Sequence, residues 1–178
     1  MARATLADLI ARLRKLVNDP AGANQTWNDD ELQDFLDANR LDVRHVALRP
    51  ETTWSDGAVT YTDYYADQGE WESDVILEDS DGDDLTPTAS NLVAGHWTFT
   101  DQGPAVYITG KTFDLWATAA DVLEAWAAKA ALEFDFDTDG ARFARSQKRE
   151  ALLAVAAQYR RRARPVRGVL IREDLNGG

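Results

Sequence analysis

The chain has 178 residues, 44% of them hydrophobic and 28% charged, the balance of a globular protein with an ordinary core. It has no cysteine, which excludes disulfides, thiolate metal sites and cysteine nucleophiles. No apolar run approaches the roughly 20 residues of a membrane-spanning helix, and the charged amino terminus has no secretory character, so a soluble protein made inside a cell is expected.

The formal net charge of −12 is unevenly spread. Residues 50–110 hold thirteen acidic side chains and neither Lys nor Arg, whereas residues 141–178 hold ten basic side chains against three acidic ones. Polarity of this kind bears on how a surface meets its partners more than on the fold.

In chain order, Thr5 is placed to cap a helix carrying Leu6, Leu9, Ile10, Leu13, Leu16 and Val17 on one stripe, closed by Asn18-Asp19-Pro20. Trp27-Asn28-Asp29-Asp30-Glu31 opens a second helix, with Asn28 as cap and Trp27 stapled onto Leu32. Leu32, Phe35, Leu36, Val43 and Val46 extend its periodicity to about Leu48, and Pro50 stops it. Over residues 51–110 the pattern turns to alternation: Trp71, Val75, Leu77; Trp97, Phe99; Val106, Ile108; and a further strand around Val59, Tyr61 and Tyr64. Asp79-Ser80-Asp81-Gly82 and Asp101-Gln102-Gly103-Pro104 carry turn chemistry. Alanine-rich residues 112–133 and residues 140–163 read as two long helices folded back on each other through an acidic loop at 135–140. Pro165 and Gly168 end the helical pattern, leaving a basic, apolar carboxy-terminal arm.

The expected fold is therefore α+β and mainly α: a helical bundle around a long antiparallel helix pair, with a small antiparallel β-sheet inserted. Residues 1–50 and 111–163 form the helical core domain, 51–110 the acidic β insertion and 164–178 the extended arm.

Chemistry is sparse. Asp135, Asp137, Asp139 and Gly140 match the first half of an EF-hand loop, but Ser146 stands where the bidentate Glu is required. His45 and His96 have no neighbours at metal-ligand spacing, and no phosphate loop or nucleophile elbow occurs. No enzyme activity, cofactor or metal is expected. Arg160, Arg161, Arg162, Arg164 and Arg167 could neutralise phosphates, giving a DNA-binding helical protein as the alternative reading. The acidic body would repel a polyanion, and an acidic protein partner for this basic segment is the stronger reading.

Three stretches resemble the head–tail connector (adaptor) family of tailed bacteriophages and prophages. They are Trp27-Asn28-Asp29-Asp30-Glu31-Leu32-Gln33 with Leu36-Asp37 and Arg40-x-Asp42-Val43; the helix from Thr112-Phe113-Asp114-Leu115-Trp116 to Trp126-Ala127; and Asp139-Gly140-Ala141-Arg142-Phe143 with the Tyr159-Arg160-Arg161-Arg162-Ala163 end. The resemblance implies a structural virion protein, made in the host bacterial cytoplasm and located in the neck at the capsid vertex. It would form a ring with neighbouring copies of itself, commonly twelve, between the portal protein and the next neck or tail connector. DNA would pass during genome ejection without specific binding, and no membrane is involved. The portal-binding residues would be Arg160, Arg161, Arg162, Arg164, Arg167, Val169, Leu170, Ile171 and Arg172, and the acidic surface Glu78, Asp79, Asp81, Asp83 and Asp84 would line the channel or face the tail. The large segment 51–110 departs from a minimal helical member of that family.

Overall fold

The computed structural model describes residues 1–55, 57–100, 102–103, 105–131, 136–138, 141–143 and 145–164. Its first helix, α1 (Ala7–Val17), follows a 3-10 turn and buries Leu9, Ile10, Leu13 and Val17, as the stripe requires. Thr5 does not cap it: the Thr5 hydroxyl donates instead to Glu72 at 2.5 Å. Asn18 ends the helix in the left-handed conformation at φ 54°, a region that asparagine tolerates.

The second helix, α2 (Asp29–Ala38), opens with a full capping box. Asn28 Oδ1 accepts from the Glu31 amide at 2.9 Å, and the Glu31 carboxylate accepts from the Asn28 amide at 2.8 Å. Trp27 is buried and meets Phe35 edge to face at 5.4 Å.

Here the structure departs from the expected bundle. α2 stops at Ala38, where the Asn39 side chain donates to the Phe35 carbonyl at 3.1 Å and to Asp121 at 2.6 Å. The residues expected to continue it form strand β1 (Arg40–Ala47). Val43 and Val46 are compatible with either period, and pairing with a distant strand outweighs the helical reading. The next strands are β2 (Arg49–Ser55), β3 (Ala58–Tyr65), β4 (Ile76–Glu78), β5 (Ala89–Asn91), β6 (His96–Thr98) and β7 (Tyr107–Phe113). One antiparallel sheet has the order β1-β7-β4 and the other β2-β3-β6-β5. In the first, Arg40 faces Phe113 and Val43 faces Gly110, with a bulge before Val46 where His45 takes φ 48°. Pro50 terminates no helix; it lies in β2, an edge strand, where a missing N–H costs least.

The expected third helix begins three residues late, because Thr112 and Phe113 belong to β7. α3 (Leu115–Ala131) is capped by Asp114, whose Oδ1 accepts from the Trp116 and Ala117 amides at 3.0 Å each. Residues 136–138 and 141–143 pair as a short hairpin, β8 and β9, where a loop and the start of the last helix were expected, and α4 (Arg145–Arg160) follows; Asp135, Asp139 and Gly140 of the expected acidic loop lie outside the described residues. Trp116 meets Tyr159 while Lys148 lies over Trp126, so α3 and α4 run antiparallel as anticipated. The Tyr159 hydroxyl donates to the Leu16 carbonyl at 3.0 Å and ties α4 to α1.

With 38% of the chain in helix and 28% in strand, the expectation of a mainly α bundle bearing a small sheet is overturned in favour of a mixed α/β fold. Two buried clusters result. One joins α1, α2 and α3 through Leu6, Leu13, Leu32, Leu36, Val122 and Leu123; the other fills the sheets with Val43, Tyr64, Trp71, Trp97, Phe99 and Ile108. Strand β7 belongs to both, with Ile108 in the sheet cluster and Phe113 in the helical one.

Candidate interaction surfaces

The basic end of α4 was the first candidate, and the described part of it is largely occupied within the molecule. Arg160 is bonded to Asp121 and to Glu124, the latter at 3.0 Å, and these carboxylates raise its pKa. The Arg162 guanidinium lies 5.0 Å from the centre of the Trp116 ring. Arg164 is anchored twice: its amide donates to Asp114 Oδ2 at 2.5 Å, and its Nη2 donates to the Gly69 carbonyl at 2.9 Å and Thr112 Oγ1 at 3.2 Å. Arg161 is exposed and has no ion pair among the described residues. Arg167, Val169, Leu170, Ile171 and Arg172 lie outside the described residues.

Beside this anchored end is a half-open cavity of about 290 Å³ lined by Arg12, Lys15, Leu16, Glu70, Leu115 and Trp116. Glu70 is paired with Arg12, yet burial outweighs the ion pair and pushes its carboxyl above the ordinary value.

The acidic surface is divided. Asp79 Oδ1 accepts from the amides of Asp81 at 2.8 Å and Asp83 at 3.0 Å, and these bonds, that from Asp83 foremost, hold its carboxyl below the ordinary range. Asp81, Asp83 and Asp84 are exposed around Gly82, which takes φ 85°. Glu78, half-buried on β4, faces His45 Nδ1 at 3.5 Å. Among the described residues, no three His, Cys, Asp or Glu side chains are grouped to hold a metal ion. His96 serves structure: its Nε2 is 2.8 Å from Asp63 Oδ1, and its ring stacks on Tyr65 at 4.6 Å.

Two buried charge clusters were not foreseen. Arg14, nearly fully buried, donates to the carbonyls of Asp19 and Trp27 and to the Asp29 carboxylate. Glu72, fully buried, accepts from Thr5 Oγ1 and from Arg3 Nε at 3.0 Å, with Lys111 Nζ 3.5 Å from its other oxygen. Residues 50–110 contain no cation, so Glu72 takes its partners from outside that segment, which simple charge counting along the chain conceals.

The third overlooked feature is the β2–β3 hairpin. Its ladder with β6 covers Asp63, Tyr64 and Tyr65, and the carbonyls of Thr62 and Tyr61 still accept from the Phe99 and Gln102 amides at 2.8 and 3.0 Å, so among the described residues it is a two-stranded ribbon from Thr60 outward. Near its end Trp54 faces Val59 in register and is 75% exposed. The Asp56-Gly57 pair between two β-prone runs was the available signal, since Asp-Gly is a strong hairpin indicator. At the base of the ribbon lies a half-open groove of about 420 Å³, with Leu41, Val43, Val46 and Ile108 among its apolar lining and Arg44 and Arg49 among its charged residues.

No protein-family model, curated protein or solved structure matches the chain. Among the described residues no helix is long and apolar enough to cross a membrane.

Proposed function

We propose that the chain is a structural subunit of a phage neck, a head-to-tail adaptor that assembles as a ring between the portal and the next connector while DNA passes through. The motifs quoted for the resemblance support this reading, and so does the segregation of charge between residues 50–110 and 141–178. The observation that carries it is the double anchoring of Arg164, which fixes on the body the point from which residues 165–178 depart. Arg160, Arg162 and Arg164 then root the arm, and portal contacts fall to Arg161 together with Arg167, Val169, Leu170, Ile171 and Arg172. The acidic turn at Asp81, Asp83 and Asp84 remains available to a channel or a tail-side neighbour. DNA binding is the weaker reading because Arg160 is already neutralised by two carboxylates.

The test is native mass spectrometry and negative-stain microscopy of the protein, alone and with the portal encoded beside it. Rings, or portal binding that disappears when residues 165–178 are deleted, are expected. A protein indifferent to the portal but retained on DNA would overturn the reading.

A further inference from the structure

The end of the β2–β3 ribbon is poorly suited to water. An isolated two-stranded hairpin is marginal on its own, and this one carries Trp54 and Val59 directly opposite each other, hence on one face. The same face continues inward to Tyr61, which packs partly against the sheet cluster, so the apolar surface runs out of the core and past its edge. Tyr64 joins that cluster as well because the bulge opposite Glu51 and Thr52 changes the alternation.

The groove has the complementary character. Its apolar floor includes Leu41 and Val46, which are respectively 46% and 51% exposed and await cover. Its volume of about 420 Å³ admits an indole and an isopropyl group, given that a dry cavity of about 150 Å³ takes a benzene ring. Charge agrees with shape. Residues 51–63 contain Glu51, Asp56 and Asp63 and no cation. The groove offers Arg44 and Arg49 without ion pairs among the described residues, Asp42 there is paired with Arg40 at 3.0 Å, and Asp67 is the one remaining carboxylate.

The ribbon cannot fill its own groove. Arg49 and Tyr65, the paired residues at its base, line the groove themselves, and the seven residues of β2 carry the tip about 20 Å away. We propose that the Trp54–Val59 tip of one copy inserts into the Leu41–Val46 groove of a second copy of this chain. The contact is heterologous, joining two different patches, so repetition closes into a ring when the rotation between copies permits. It rests on the adaptor reading for that closure but not for the contact itself.

The test uses the full chain and the variants Trp54→Ala at the tip and Val46→Glu in the groove, followed by sedimentation velocity and native mass spectrometry across concentration, with and without the portal. Both positions are solvent-exposed, and unchanged circular dichroism and melting would verify the fold. Each variant alone should need about tenfold or more higher concentration to self-associate, as loss of a central aromatic anchor does. Mixed one to one they should form a dimer, because an intact tip then meets one intact groove. The inference is overturned if Trp54→Ala assembles like the wild type, alone or on the portal, if the mixture stays monomeric, or if the wild type is monomeric under every condition. Self-association that both variants weaken, in a protein indifferent to the portal, would retain this contact and remove the adaptor reading. Portal binding with assembly untouched by either variant would do the reverse.

Discussion

Replacing Arg14 by Met isolates the contribution of one buried charge. Arg14 is 6% exposed, and its guanidinium satisfies the carbonyls of Asp19 at 3.0 Å and Trp27 at 2.9 Å while reaching Asp29 Oδ1 at 2.7 Å. Met retains much of the aliphatic stem but none of the donors. Two buried carbonyls lose their partner, each worth about 1–3 kcal/mol when left unsatisfied. Asp19, 2% exposed, keeps the amides of Thr26 at 2.7 Å and Trp27 at 3.0 Å but loses its counter-charge. Breaking a buried pair from one side costs about 3–5 kcal/mol, and we expect Arg14→Met to fall in that range. The assay is urea unfolding followed by tryptophan fluorescence, with the slope checked for two-state behaviour. The partially exposed Asp29, at 59%, should matter far less, and Asp29→Ala is expected to cost about 1 kcal/mol or below. A loss under about 1 kcal/mol for Arg14→Met would refute the claim that this cluster holds the α1–α2 connection.

Other expectations follow from particular contacts. Gly95→Ala should destabilise strongly, because Gly95 sits at φ 67° and a Cβ would come 2.2 Å from the Gln68 carbonyl oxygen; a melting temperature within a degree or two of wild type would contradict it. Asn28→Ala, which removes the capping box of α2, should cost about 1 kcal/mol in the same urea assay, and Asn28→Ser should restore most of it. Acid titration separates two carboxylates of opposite sign. The Arg3 guanidinium holds Asp37 below its ordinary 3.8, so the stability it adds is complete above that value and is lost as pH falls through the lower native one. Burial raises Glu70 above 4.5, so its contribution is present below that value and disappears as pH rises through the native one. The gain in unfolding free energy from pH 3 to pH 6 should therefore shrink in Asp37→Asn and grow in Glu70→Gln; equal changes in both would refute the assignment.

Much of the local order was written in short-range sequence. The stripe from Leu6 to Val17, the Asn28–Glu31 box and the alanine-rich α3 are each specified by contacts within about four residues, where periodicity and capping speak directly. The strands around Tyr64, Trp97 and Ile108 were likewise legible as alternation. The turn at Asp79 was legible from its own Asp and Gly residues, and its hydrogen bonds need nothing beyond that loop.

What only the tertiary structure decided lies where two readings of one stretch were nearly equal in local energy. Residues 40–47 satisfy a helical stripe and a strand about equally, and β7, sixty or more residues away, settled the matter by supplying backbone partners from Phe113 to Tyr107. The same pairing put Thr112 and Phe113 into a sheet instead of a helix. Burial of Glu72 depends on Arg3, Thr5 and Lys111 arriving from distant parts of the chain, and the fate of Arg160 depends on α3 lying antiparallel to α4. Local propensities differ by tenths of a kcal/mol per residue, whereas a buried carboxylate or an unpaired strand costs several, so long-range partners choose among the folds that the local sequence allows.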